Sequence, residues 1–147
     1  MRPSPPLWRN RRKAGLALGH QLLERGPVAA DTLLLGFPRG GVAVAAAMAE
    51  VLQRPLRSWS VRKVSDPRWP ELAIGAIAPG GVCLWLEGRN GPQQARARAQ
   101  GWLEQEEREL GRRRALFGDP EPDELSGRHL IAIDDGIATG IDRKSVV

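Results

Sequence analysis

The stretch His129-Leu130-Ile131-Ala132-Ile133-Asp134-Asp135-Gly136-Ile137-Ala138-Thr139-Gly140 decides how this chain reads. Residues 130–133 are apolar without alternation, the pattern of a parallel strand covered on both faces. Two carboxylates follow, and then a turn holding two glycines and a threonine. Ligands of open α/β sheets gather beyond the carboxyl ends of the strands, so the two aspartates stand where a ligand would lie. A glycine-rich turn can aim successive backbone N–H groups at a phosphate, helped by the positive end of a following helix. Acids beside a phosphate cradle suit a sugar phosphate, because carboxylates accept hydrogen bonds from a ribose diol. Taken alone, Asp-Asp-Gly is also an ordinary acidic cap on a strand-to-helix turn. The full string favours a ligand site.

A second unit of the same kind lies upstream. Thr32-Leu33-Leu34-Leu35-Gly36-Phe37 reads as a buried strand, Pro38-Arg39-Gly40-Gly41 as a loop, and residues 42–52 as an apolar helix containing Val44, Ala45, Met48, Ala49 and Leu52. Paired glycines let a backbone approach an anion closely. Arg39 adds fixed positive charge and the helix start adds its dipole. Chemistry alone balances this reading against a tightly packed turn.

Residues 134–140, following an apolar strand, resemble the phosphoribosyl pyrophosphate (PRPP) motif of type I phosphoribosyltransferases. Phe37-Pro38-Arg39-Gly40-Gly41-Val42 resembles that family's pyrophosphate loop. Arg12 to Gly15, Val61-Arg62-Lys63 and Pro70-Glu71-Leu72-Ala73-Ile74-Gly75-Ala76 resemble further stretches of its bacterial relatives. The similarity spans residues 10–140. It implies that Asp134 and Asp135 hold the ribose hydroxyls, that Gly136, Ile137, Ala138, Thr139 and Gly140 hold the 5-phosphate, and that Arg39, Gly40 and Gly41 hold the pyrophosphate. A segment near residues 62–76 would close over the site in such enzymes. Lys63, with Arg62, would then present charge to the leaving pyrophosphate, although two solvated basic residues at a strand end are the simpler chemical reading. Glu71 is a lesser candidate. Magnesium would arrive mainly on the PRPP phosphates, with no metal-ligating residue of the chain assigned. The implied reaction transfers a phosphoribosyl group to a nitrogenous base and releases pyrophosphate. A PRPP- or nucleotide-sensing module, or an RNA-associated regulator using the arginine-rich face, is the alternative. Ala138 stands before Thr-Gly as in adenine-type members, but the Pro-Arg-Gly-Gly loop departs from that type, so the acceptor base stays unassigned. A homodimer is compatible with the resemblance.

The other segments frame these motifs. Residues 1–9, with Pro3, Pro5 and Pro6, read as a loose arm. Residues 10–25 read as a helix with Asn10 as N-cap and Ala14, Leu18 and Leu22 on one face. Arg9, Arg11, Arg12 and Lys13 read as a solvated cluster, with a phosphate-contacting arginine among them as the lesser reading. Residues 56–61 read as a strand edging into Arg62-Lys63-Val64, and 65–70 as an irregular loop. Residues 71–77 and 82–86 form a predicted hairpin through Pro79-Gly80-Gly81. One long helix is expected from Gly91-Pro92 to about Phe117, with Glu104–Arg108 and Glu109–Arg113 pairs, and then a polar linker at 121–126. His20, Trp59, Trp69, Trp85 and Cys83 are read as packing residues, with base stacking the second reading for Trp69. The expected fold is α/β: a mainly parallel sheet flanked by helices, with a small antiparallel hairpin excursion. One domain is expected over 10–140. Ile141 and Asp142 stand where relatives carry a small residue and Thr, so residues 141–147 read as a short foreign tail and a final helix and strand as missing.

Composition narrows the classes. The chain has 147 residues, 41% apolar and 27% charged, and a net charge of +5. That charge fits anionic partners without choosing between metabolites and nucleic acid. Lys13, Lys63 and Lys144 are the only lysines, so arginine carries nearly all of it. A single cysteine excludes an internal disulfide framework. No apolar run approaches the ~20 residues of a membrane span, and a cytoplasmic location is expected. Neither a nucleotide-triphosphate P-loop nor a dinucleotide glycine fingerprint is present.

Overall fold

In the computed structural model, the residues described are 7–87 and 91–136. Ile137, Ala138, Thr139 and Gly140, the tail at 141–147, and residues 1–6 of the arm lie outside them. The described chain forms two compact units, residues 7–58 with Leu125–Gly136, and Trp59–Glu124.

The first unit is a parallel α/β layer. Its elements are α1 (Arg11–Glu24), β1 (Leu33–Gly36), α2 (Gly40–Leu52), β2 (Leu56–Ser58) and β6 (Leu130–Ile133). The strand order is β2-β1-β6, and both pairings are parallel. All of β1 is buried, as its unbroken Leu33-Leu34-Leu35-Gly36 run requires. Leu34, Val44, Ala45, Met48, Leu52 and Ile133 form the core between sheet and α2. The strand order reverses at β1: the chain leaves through α2 to β2 on one side and returns as β6 on the other. Such a reversal opens a crevice at the carboxyl ends of the strands. At the opposite edge His129 Nδ1 meets Asp31 Oδ1 at 2.8 Å, and Leu33 N donates to His129 O.

Asn10 caps α1, its side chain accepting from Lys13 N at 2.9 Å. The helix lies against α2 with almost no side chain between the backbones. A Cβ on Gly15 would collide with the Val44 carbonyl oxygen and stand 2.7 Å from Ala47 Cβ; one on Gly19 would stand 2.9 Å from Val51 Cβ. Small residues one helical turn apart let the two helices approach this closely.

The second unit contains β3 (Arg62–Ser65), β4 (Ala73–Ala78), β5 (Val82–Trp85), α3 (Pro92–Ala99), α4 (Trp102–Phe117) and a 3₁₀ turn at Pro122–Leu125. Its sheet is antiparallel, in the order β3-β4-β5. Gly80 and Gly81, at φ 83° and 75°, make the hairpin turn. Val64, Ile77, Ala97, Leu103 and Leu110 form its core, with Cys83 and Trp85 packed on the edge.

The structure corrects five expectations in detail. The strand at 56–61 does not run on into 62–64: β2 and β3 belong to different sheets, with buried Trp59 and Ser60 between them in the chain, and Ser60 N donates to Asp119 Oδ2 at 2.7 Å. The long helix breaks at Gly101, whose φ of 72° ends α3 and starts α4. Among the described residues β6 is covered less fully than its sequence suggests, with Ile133 buried and Ala132 exposed. His20 is exposed on α1, because Gly15 and Gly19 take the packed face. Trp69 is 58% exposed and is not a core residue.

The irregular loop is braced from within. Asp66 accepts from Arg68 N and Nε, both at 3.0 Å, and pairs with Arg68 Nη2 at 2.6 Å. These bonds, the Arg68 side chain first, hold the Asp66 carboxyl down to about 2. A depressed acid stabilises the fold above its unfolded value and loses that contribution as pH falls toward the folded one. The expected outcome is a steeper loss of thermal stability from roughly pH 4 to 2 in the parent chain than in Asp66→Asn, measured by melts across that range. Two glycines give opposite expectations. Gly15→Leu forces volume into the α1–α2 contact and lowers unfolding free energy by ~1–3 kcal/mol or more. Gly111 lies in α4, and no atom comes within 4 Å of the place a Cβ would take there. Gly111→Ala is therefore expected to gain about 0.5–1 kcal/mol. Urea titrations followed by circular dichroism measure both.

Candidate functional site

Parallel pairing sets the site. Gly36 is in register with Ile133, and Phe37 N donates to Ile133 O at 2.9 Å, one step past the strand ends. The loop after β1 and the acid pair after β6 therefore leave the same edge of the sheet side by side. A Cβ on Gly36 would stand 2.8 Å from Val42 Cα, so the chain folds tightly back from β1 into α2. The Pro38–Arg39 peptide is cis.

The two motifs touch through backbone. A Cβ on Gly41 would lie 2.5 Å from Ile133 O and 2.9 Å from Asp134 Cα, and one on Gly40 would overlap the Asp135 carboxylate. Neighbouring backbone leaves Gly41 no room for a side chain. Arg39 caps α2 without a side-chain hydrogen bond, and its exposed guanidinium has no ion pair among the described residues. The first turn of α2 also carries no acidic residue. Free N–H groups and the helix dipole make such a start receptive to anions.

The acids are held differently. Asp134 Oδ1 accepts from Asp135 N at 2.8 Å. Asp135 Oδ2 receives Arg11 Nε at 2.8 Å and Nη2 at 2.6 Å, reaching across from α1. The Arg11 guanidinium keeps the Asp135 carboxyl below the usual carboxylate range. Arg12, its neighbour, turns to Glu50 of α2, at 2.6 and 2.9 Å. Arg9, Arg11 and Arg12 line a cavity of about 670 Å³ that reaches Asp135. By sequence the Arg9–Lys13 cluster reads as solvated. Arg11 belongs to the site, and spacing could not reveal this because its partner lies 124 positions away.

The remaining candidates divide. Arg39, Gly40, Gly41, Asp134, Asp135 and Gly136 are brought together at one strand edge. Ile137, Ala138, Thr139 and Gly140 lie outside the described residues. Lys63 and Arg62 are in β3 of the second unit. Lys63 is exposed, while Arg62 Nε is engaged by Glu106 Oε2 at 2.7 Å. Glu71 is exposed in the loop before β4. Trp69 lines a cavity of about 560 Å³ with Leu72, Ile74, Leu86 and Trp102, and Arg96 lies 5.5 Å from the Trp102 ring centroid. Among the described residues no three His, Cys, Asp or Glu side chains cluster to hold a metal, and no helix is long and apolar enough to cross a membrane.

Comparison with known proteins bears on the fold. No family model matches the chain. Two Mycobacterium tuberculosis proteins, Rv0571c of strain H37Rv and MT0597 of strain CDC 1551, are each named as a candidate phosphoribosyl transferase. Each is 38% identical over 143 residues, covering 95% of this chain. The chain spans 31% of the length of these relatives. The crystal structure of TT1426 from Thermus thermophilus matches with a TM-score of 0.58 and 34% identity, over 95% of this chain and 66% of that one. A parallel sheet with helices, a small antiparallel sheet and relatives of this identity lead to one conclusion: the chain has a phosphoribosyltransferase-like α/β fold and is a homologue of proteins named as phosphoribosyl transferases.

Proposed function

We propose that this chain binds PRPP, with its ribose on Asp134 and Asp135, its pyrophosphate on Arg39, Gly40 and Gly41, and its 5-phosphate on the turn that begins at Gly136. One observation carries the reading. Gly41 has backbone of Ile133 and Asp134 in the space a Cβ would take, so a loop suited to pyrophosphate and acids suited to a diol share one floor. The similarity to relatives named as phosphoribosyl transferases supports it.

The reaction then follows from charge. A nitrogen of the acceptor base attacks the anomeric carbon, and the bond to pyrophosphate breaks with its electron pair. The nitrogen releases its proton to solvent or to the acceptor site. Positive charge grows on the sugar ring and negative charge on the leaving group. Asp134 and Asp135 orient the ring through its hydroxyls, and their negative charge favours the cationic sugar. Arg39 and the N–H groups at the start of α2 stabilise the departing pyrophosphate. Positioning and preorganised electrostatics of this kind carry most of the catalysis in such a transfer. Magnesium fits the same arrangement as a passenger on the phosphates. Two adjacent carboxylates, one already engaged by Arg11, do not make an octahedral protein cage, and Mg²⁺ characteristically keeps water and substrate phosphate in its shell. When bound, it supplies charge neutralisation of the pyrophosphate.

Calorimetry with PRPP and magnesium tests the reading. The combined Asp134→Asn, Asp135→Asn change is expected to weaken binding at least tenfold, about 1.4 kcal/mol or more. Gly41→Val is expected to abolish binding, with a circular dichroism spectrum reporting whether the fold persists. PRPP affinity unchanged by the double substitution would contradict the reading. A pyrophosphate-release assay over a panel of bases separates an enzyme from a sensor: binding without release would assign a sensing module.

A further inference from the structure

We propose that Arg11 is a positioning residue for the sugar-binding acid, fixing the direction and charge of Asp135 so that it can accept a hydrogen bond from a ribose hydroxyl. This rests on the sugar-phosphate reading of the site. Both Arg11 donors, Nε and Nη2, converge on the single oxygen Oδ2, so Oδ1 takes no part in the contact. The same carboxylate lies over Gly40, where a Cβ would overlap it. Asp135 is thus confined between a guanidinium from α1 and the backbone at the start of α2. A fixed carboxylate loses less orientational freedom when a ligand binds, which is how preorganisation raises affinity.

A merely structural staple between α1 and β6 is the competing account. The packing argues against its being needed, since Gly15 and Gly19 already seat α1 on α2 by close contact. The pair is also solvent-facing, with the side chains of Arg11 and Asp135 59% and 32% exposed, a setting in which ion pairs add little stability. The charged groups on the elements around Asp135 are Asp134 beside it, Arg39 at the start of α2, and Arg9 and Arg12 of the α1 cavity wall, Arg12 being bound to Glu50. Of these arginines and Arg11, it is Arg11 that bonds the carboxylate directly, and it dominates the downward shift of the Asp135 carboxyl.

The test uses Arg11→Ala and Arg11→Lys with two probes, ribose 5-phosphate and inorganic phosphate. In the ligand-free protein, the Asp135 carboxyl carbon followed by NMR is expected to titrate at higher pH in Arg11→Ala and to stay low in Arg11→Lys. Ribose 5-phosphate affinity is expected to fall about fivefold or more in Arg11→Ala near pH 7, where the loss reads positioning, and to fall further in that variant as pH drops toward about 4, because the paired acid stays ionised further into acid. Phosphate affinity is expected to hold within about twofold, since phosphate has no diol for Asp135 to accept from. Arg11→Lys should restore the pH profile. An Asp135 titration unmoved by Arg11→Ala would overturn the proposal. Equal losses for both probes would also overturn it, because Arg11 would then be an anion ligand itself. A shifted titration in a chain with no affinity for ribose 5-phosphate would sink the sugar-phosphate reading and uphold the Arg11–Asp135 coupling.

Discussion

The contact between the backbone of Gly41 and that of Ile133–Asp134 is the constraint on which the site depends. It exists because β1 and β6 pair in parallel with Gly36 opposite Ile133, and because Phe37 N extends the ladder one bond further. Parallel strands deliver both loops to one edge, and only glycine lets the second loop settle onto the first. A side chain at 41 would push the start of α2 away from the acids. The apolar runs that form β1 and β6 therefore do more than fill a core. Their register decides which backbone atoms meet beyond their ends.

Charge is arranged on that frame with an evident division of labour. The start of α2 carries no acid of its own and is capped by an arginine whose side chain stays exposed, and the carboxylate that lies over it is that of Asp135. The two acids stand opposite, one bonded to its neighbour's amide and the other to Arg11. Arg11 and Arg12, adjacent in sequence, part company to serve Asp135 and Glu50. The net positive charge of the chain thus includes arginines committed to particular carboxylates, and the composition alone cannot tell these from free ones.

What the sequence made legible follows from what is local. Unbroken apolar runs before glycine loops gave β1 and β6 and the placement of Arg39 and Asp134 on one sheet edge. Asn10 as a cap and the Pro79-Gly80-Gly81 hairpin were also readable, because each is decided within a few residues. The errors lie where tertiary context overrides local pattern. Residues 56–64 look continuous, but Trp59 and Ser60 are buried and Asp119 takes the Ser60 amide. The helical pattern from 92 to 117 carries through Gly101, and only its left-handed backbone shows the break. Gly15 and Gly19 were visible as letters, yet their meaning needs α2 beside them. Arg11 is the clearest case, since a partner 124 residues distant leaves no periodic trace.

The most direct test of the central claim is an amide NMR titration of this chain with ribose 5-phosphate and pyrophosphate added separately. If the glycine loop and the acid pair form one site, pyrophosphate shifts the amides of Gly40 and Gly41, and ribose 5-phosphate shifts those of Asp135 and Gly136. Each ligand should also perturb the other loop through the shared backbone contact. Saturable shifts confined to other parts of the chain, with these four amides unmoved by both ligands, would contradict the account.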